Sequence, residues 1–183
     1  MGLLDSIKAL FGGREPAPKE APQETSPTSL GERRKRQRIN PTPGTRALII
    51  DDSPTVVLAM KRMLESAGIR TLVAPDAEKG LEIAKAEQPE LIFLDIVLPG
   101  MNGFSALRHM RRDDQTRDTP VIMISGNEKA AEQFFGTRIG ADDFMKKPFT
   151  RLDLFVRIEH LLDEERVPRR KPAEAKAAAD TPA

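Results

Sequence analysis

Leu91-Ile92-Phe93-Leu94-Asp95 runs four apolar residues straight into one carboxylate. An apolar run this short, followed by the turn signal Pro99-Gly100, predicts a strand covered on both faces, as in a parallel sheet. Asp95 then stands at the carboxyl end of that strand. In open parallel α/β sheets, ligands bind outside that end. Ala47-Leu48-Ile49-Ile50 repeats the pattern and ends in Asp51-Asp52. Two strand tips therefore deliver three carboxylates to one end of the sheet, and we read them as one site.

The chain on either side of these strands alternates strand and helix across 45–163. Ser53-Pro54 is a helix start, with Ser53 as cap and Pro54 in the first turn. Val57, Met60, Met63 and Leu64 form the apolar stripe of this first helix, and Gly68 ends it. Thr71-Leu72-Val73-Ala74 predicts a short second strand. A second helix runs from Asp76 to Glu87, with Ala77, Leu81, Ile83 and Ala84 inward. A third runs from Gly103 to Asp113, with Phe104, Leu107 and Met110 on one side. Val121-Ile122-Met123-Ile124 is a fourth strand, ending at Ser125-Gly126. A weaker helix, Glu128 to Ile139, is closed by Gly140. Phe144-Met145 is a short fifth strand, and Thr150 caps a last helix whose stripe is Leu154, Phe155, Ile158, Leu161 and Leu162. Five βα units with right-handed crossovers must place helices on both faces. The predicted fold is α/β: a five-stranded doubly wound parallel sheet of flavodoxin-like type, strand order 2-1-3-4-5, with five helices. Its switch point lies between strands one and three, the strands that carry Asp51, Asp52 and Asp95.

Composition bounds the rest. The chain has 183 residues, 29 basic and 28 acidic, enough for one domain with extensions. The near-zero total hides a mildly acidic middle and basic flanks. The absence of Cys excludes disulfides and thiolate metal sites, and fits a cytoplasmic location. No apolar run approaches the roughly 18–20 residues of a membrane-spanning helix, and Met1–Gly13 lacks the features of a secretory signal. Within 1–13, Leu3, Leu4, Ile7, Leu10 and Phe11 share one helical stripe. This short amphipathic segment is a candidate for contact with a membrane surface, a partner or its own domain, or else a frayed terminus. Residues 14–44 read as a disordered, Pro-rich basic linker. Its run Arg33-Arg34-Lys35-Arg36-Gln37-Arg38 lacks aromatics for base stacking, so we favour a solvated charge run over a nucleic-acid partner, with a patch for nucleic acid or anionic lipid as the alternative. Residues 164–183 read as a disordered tail.

Three close carboxylates repel one another unless protons or a cation compensate. Oxygen-only ligands in an open pocket suit Mg²⁺ or Mn²⁺. Ser125 adds a hydroxyl at the fourth strand tip, and Lys147 adds an ammonium after the fifth. A metal, a hydroxyl and an ammonium around one carboxylate are what phosphoryl transfer to that carboxylate requires, because the transferred group carries dispersed negative charge. Asp95 would be the nucleophile, forming an acyl phosphate. His109 and His160 are isolated and receive no role. No Walker-type loop or nucleophile elbow is present.

Asp51-Asp52-Ser53-Pro54, Asp95 to Gly103, Pro120 to Gly126 and Gly140 to Phe149, taken in order and at these spacings, resemble the receiver domain of bacterial two-component response regulators. The resemblance covers about 45–163. It implies Asp95 as phosphoacceptor, Asp52 as direct Mg²⁺ ligand, Asp51 as a carboxylate assisting through water, and the backbone carbonyl of Val97 as a further ligand. It implies Ser125 as the switch hydroxyl, Lys147 as the lysine that contacts a phosphoryl oxygen, and a cis bond to Pro148. Phe144 matches the switch aromatic that swings inward on activation, although Tyr is commoner there. Val97 and Asn127 flank the phosphoryl entrance in the family and would influence hydrolysis, while Asn102 carries little information.

The leading reading is thus a stand-alone switch rather than an enzyme with a separate substrate. It takes a phosphoryl group from a sensor histidine kinase and binds a downstream protein through the face formed by the 128–139 helix, the fifth strand and the last helix. Chemotaxis-like control of flagella or type IV pili is the expected setting. The segment Gln133 to Phe144 resembles single-domain receivers of the twitching-motility kind. The alternative is a localisation or scaffold module, held at an anionic membrane or polar assembly by 1–13 and 33–38.

Overall fold

The computed structural model describes residues 39–127, 129, 132, 134 and 140–170. Five parallel strands are arranged in the order β2-β1-β3-β4-β5. They are β1 (Arg46–Ile50), β2 (Arg70–Ala74), β3 (Leu91–Asp95), β4 (Val121–Ser125) and β5 (Asp143–Lys146). Among the described residues, four helices with defined bounds connect or follow them: α1 (Pro54–Glu65), α2 (Ala77–Glu87), α3 (Gly103–Arg112) and α4 (Arg151–Leu161). The predicted 128–139 helix lies for the most part outside the described residues. No described helix is long and apolar enough to cross a membrane.

Strand pleating sorts the core into two layers. Successive strand side chains point to opposite faces. Leu48 and Ile50, Ile92 and Leu94, and Val121 and Met123 meet Ala77 and Ala84 of α2 and Phe104, Leu107 and Met110 of α3. Ala47 and Ile49, Leu91 and Phe93, and Ile122 and Ile124 meet Met60 and Leu64 of α1 and Leu154, Phe155, Ile158 and Leu161 of α4. Both faces of the central strands are dry. That is why β1, β3 and β4 read as continuous apolar runs and not as alternating ones.

The helix starts obey local chemistry. Ser53, Asp76, Asn102 and Thr150 occupy the N-cap positions of α1 to α4, each accepting a backbone N–H from the first turn. Thr150 and Asp153 form a reciprocal capping box. Asn102, which carries little weight by resemblance, thus has a structural role as a cap, because its Oδ1 accepts the Ser105 N–H at 2.9 Å. Gly103 is required for another reason. A Cβ there would lie 2.1 Å from the Asp95 carbonyl oxygen, so α3 can start against the β3 tip only if residue 103 has no side chain.

The expected domain edges need correction. Residues 39–44, expected as linker, are described against the domain: Pro41 is buried, and Thr42 donates its N–H to the Arg166 carbonyl at 3.0 Å. Residues 164–170, expected as the start of a disordered tail, are folded back. Leu162 and Pro168 form an isolated antiparallel bridge, and Arg169 N–H reaches the Leu161 carbonyl at 2.8 Å. Polar side chains and tertiary hydrogen bonds hold these edges, and neither leaves an apolar periodicity in the sequence.

Candidate functional site

The parallel register aligns the carboxyl ends of β1, β3, β4 and β5. Ile50 pairs with Leu94, Asp95 with Ile124, and Ser125 with Lys146. The residues just beyond these tips therefore converge. Asp51, Asp52 and Asp95 each offer an oxygen within 4.8 Å of the others. Lys147 reaches in from beyond β5: its Nζ lies 2.6 Å from Asp95 Oδ2 and 2.7 Å from Asp51 Oδ2. The cis bond expected before Pro148 is present.

The site is nearly dry on two sides. The carboxylates of Asp51 and Asp95 are 1% and 6% exposed, whereas Asp52 is open to solvent. Asp51 Oδ1 accepts the Ser53 N–H at 3.0 Å. Its Oδ2 meets no hydrogen-bond donor with adequate geometry and lies 2.7 Å from the Lys147 ammonium. Asp95 Oδ1 accepts the Val97 N–H at 3.1 Å. Burial raises Asp95 above the ordinary carboxylate range; Lys147 and the Val97 N–H pull it partly back, and the Asp51 charge adds to the rise. Burial acts to lower the Lys147 ammonium, but its contacts with Asp51 and Asp95 outweigh burial and raise it.

Three carboxylates against one ammonium leave two negative charges, and one buried carboxylate oxygen has no hydrogen bond. An all-oxygen donor set with that deficit fits a hard divalent cation. Asp51, Asp52 and Asp95 could hold it from their side chains. Val97, the further ligand implied through its carbonyl, is 54% exposed at the rim.

Ser125 is buried at the tip of β4, beside β3, where its Oγ accepts the Asn127 N–H at 3.1 Å. Phe144 sits on β5, three residues before Lys147, and is 7% exposed; its ring lies 5.0 Å from that of Phe134. The aromatic is thus inward in this structure. Two supports were missed in the sequence. Glu78 of α2 accepts the Met101 N–H at 3.2 Å, bracing the loop that leaves Asp95. Arg111 and Arg170 grip the carboxylate of Asp142 just before β5. Both contacts join residues distant in sequence, and neither leaves a local signal.

Known proteins resemble this chain in sequence and fold. The family model described as the response regulator receiver domain matches residues 47–159. The chain is similar to protein PilH of Pseudomonas aeruginosa, 37% identical over 117 residues that cover 64% of this chain and 97% of PilH. It is also similar to the DNA-binding dual master transcriptional regulator RpaA of Synechocystis, 38% identical over 67% of this chain and 52% of that protein. The chain thus spans about half the length of that regulator. Among solved structures it resembles chemotaxis protein CheY4 of Vibrio cholerae, with a TM-score of 0.60, 25% identity, and coverage of 65% and 99%. It also resembles the receiver domain of sensor histidine kinase PA1611 of Pseudomonas aeruginosa, described with a magnesium ion coordinated in its active site cleft; the TM-score is 0.56, identity 28%, and coverage 61% and 91%. Fold, strand-tip carboxylates and matched span agree, and the chain belongs to the response regulator receiver domain family of two-component signalling.

Proposed function

We propose that Asp95 accepts a phosphoryl group from a phosphohistidine of a sensor kinase. The observation that carries this reading is Lys147 drawn onto the buried carboxylates of two different strand tips. A carboxylate oxygen of Asp95 attacks phosphorus as the nitrogen–phosphorus bond breaks. The imidazole leaves with the bonding pair, and an acyl phosphate remains. Water attacking phosphorus later restores the carboxylate and releases inorganic phosphate. Lys147 is placed to neutralise a phosphoryl oxygen, and the Ser125 hydroxyl to turn toward it. Mg²⁺, held by Asp51, Asp52, Asp95 and the Val97 carbonyl, would supply charge neutralisation at the phosphoryl oxygens. The protein serves as a phosphoacceptor that promotes its own phosphorylation and hydrolysis.

The output in this reading is protein–protein binding through the face that includes β5 and α4, biased by Ser125 and Phe144. Motility control of the chemotaxis-like kind is supported by likenesses that span nearly all of PilH and CheY4. The test is intact mass after exposure to acetyl phosphate and Mg²⁺, with Asp95→Asn beside it. (With no Trp or Tyr, fluorescence cannot follow the reaction.) One metal-dependent adduct, absent in the variant, is expected. An adduct that persists in Asp95→Asn refutes the assignment.

A further inference from the structure

Beyond α4, and beyond the residues the family model matches, the chain makes a built turn. Asp163 organises it: Oδ1 accepts the N–H groups of Glu165 and Val167, both at 2.9 Å. Its backbone exchanges hydrogen bonds with Arg166 and Val167, each at 3.0 Å. Arg169 closes the turn on Asp163 Oδ2 at 3.2 Å. The reversal brings Arg170 back across the domain. Its Nε donates to Asp142 Oδ1 at 3.1 Å, its Nη1 to the Arg117 carbonyl at 3.0 Å, and its Nη2 to the Gly140 carbonyl at 3.4 Å.

Asp142 is the anchor. Its carboxylate is 1% exposed, and Oδ2 accepts from Arg111 of α3 at 2.9 Å and from the Val121 N–H at 2.8 Å. Arg111 also holds the Gly140 carbonyl at 2.9 Å. Burial pushes the Arg111 guanidinium down to about 10; Asp142 opposes that fall and Arg170 adds to it. One buried carboxylate therefore ties together the end of α3, the start of β4, the start of β5 and the segment after α4. Thr42 joins the same arrangement from before β1, through the carbonyls of Glu165 and Arg166.

β5 is an edge strand paired with β4. Among the described residues its position is held by that ladder, by α4, by Phe134 against Phe144, by Lys147 on Asp51 and Asp95, and by the 140–142 turn that leads into it. We infer that residues 163–170 are a strap which, through Arg170 on Asp142, fixes that lead-in and limits the freedom of β5 and of the Phe144 it carries. The consequence for signalling rests on the proposed role of Phe144 and Lys147. The restraint itself does not.

Hydrogen exchange on the full chain, read by mass spectrometry, tests it with Arg170→Met and Arg170→Lys. Arg170→Met removes a charge-assisted contact to a buried carboxylate that keeps its bonds to Arg111 and Val121, so the fold survives. Amides of 142–146 should then exchange about tenfold faster or more, with β1 and β3 unchanged. Arg170→Lys, which keeps the charge but not the fork, should fall between. Unchanged exchange at 142–146, or the same acceleration in β1 and β3, overturns the inference. Acetyl phosphate labelling of the wild type separates the two readings. Local acceleration without any wild-type adduct upholds the strap and removes the phosphoacceptor reading. An adduct without local acceleration does the reverse.

Discussion

Replacing Lys147 with Met tests the electrostatics of the site without touching a carboxylate. The variant keeps most of the stem but removes the ammonium that lies 2.6 Å from Asp95 and 2.7 Å from Asp51. Stripping one partner from a buried ionic contact costs about 3–5 kcal/mol. Lys147 is 18% exposed and Asp52 faces solvent, so water recovers part of that loss. About 2 kcal/mol remains, which for a domain of this size is a fall in Tm of about 6–10 °C. The sign with pH follows from Asp95, whose carboxyl is already raised by burial. Without the ammonium it rises further. The folded state then holds a proton that the unfolded chain releases, and stability falls as pH rises. The deficit should be larger at pH 7 than at pH 4, close to the ordinary carboxyl value of 3.8, when both proteins are melted without metal. Mg²⁺ should then stabilise the variant more than the wild type, because the cation no longer competes with Lys147 for the same oxygens. An equal deficit at both pH values, with an equal response to Mg²⁺, would refute this reasoning and leave Lys147 as packing alone.

Two further substitutions address the supports. Gly103→Ala places a Cβ 2.1 Å from the Asp95 carbonyl oxygen and 2.9 Å from Ile96 Cα. Backbone must move, so we expect a loss of about 2–3 kcal/mol by chemical denaturation together with slower phosphorylation; wild-type stability would show that α3 yields freely. Thr150→Ala removes the capping box and should lower Tm by about 3–5 °C near neutral pH. Thr150 holds Asp153 below its ordinary value of 3.8. That contribution is present above pH 3.8 and lost as pH falls through the lowered value, so the wild-type and variant melting curves should approach each other in acid. A gap that stays constant down to pH 3 would count against the box.

The strands were legible because each central one is buried on both faces: Leu91 to Leu94 and Val121 to Ile124 left no periodicity to misread. The carboxylates followed, since a doubly wound sheet has one end at which Asp51, Asp52 and Asp95 can meet. Caps at Ser53 and Thr150 were legible from two or three residues. The cap at Asn102 carried the same signal, an Asx residue directly before a helix. What the sequence concealed is of another kind. Arg170 and Asp142 lie 28 residues apart, and Thr42 and Glu165 lie 123 apart. Charged and Pro-rich segments have the composition of linkers, and only a tertiary partner distinguishes an ordered edge from a loose one. Residues 39–44 and 164–170 read as linker and tail on that ground.

The two ends of the sheet treat charge in opposite ways. At the amino end, Asp142 meets two guanidinium groups and a backbone N–H. There too, Arg46 holds both oxygens of Glu90 and the carbonyls of Glu87 and Gln88. At the carboxyl end, three carboxylates share one ammonium. A fold that sought stability alone would balance both ends, because an uncompensated buried charge is costly. Among the described residues, placing this deficit at the strand tips leaves it where solvent and a cation can reach it. Phosphorylation of Asp95 would deepen the deficit, since an acyl phosphate carries more negative charge than the carboxylate it replaces. The modified site then draws harder on Lys147, at the end of β5, than the unmodified one does. Under the proposed function, a change of charge at β3 would become a pull on β5, whose lead-in residue Asp142 meets Arg170.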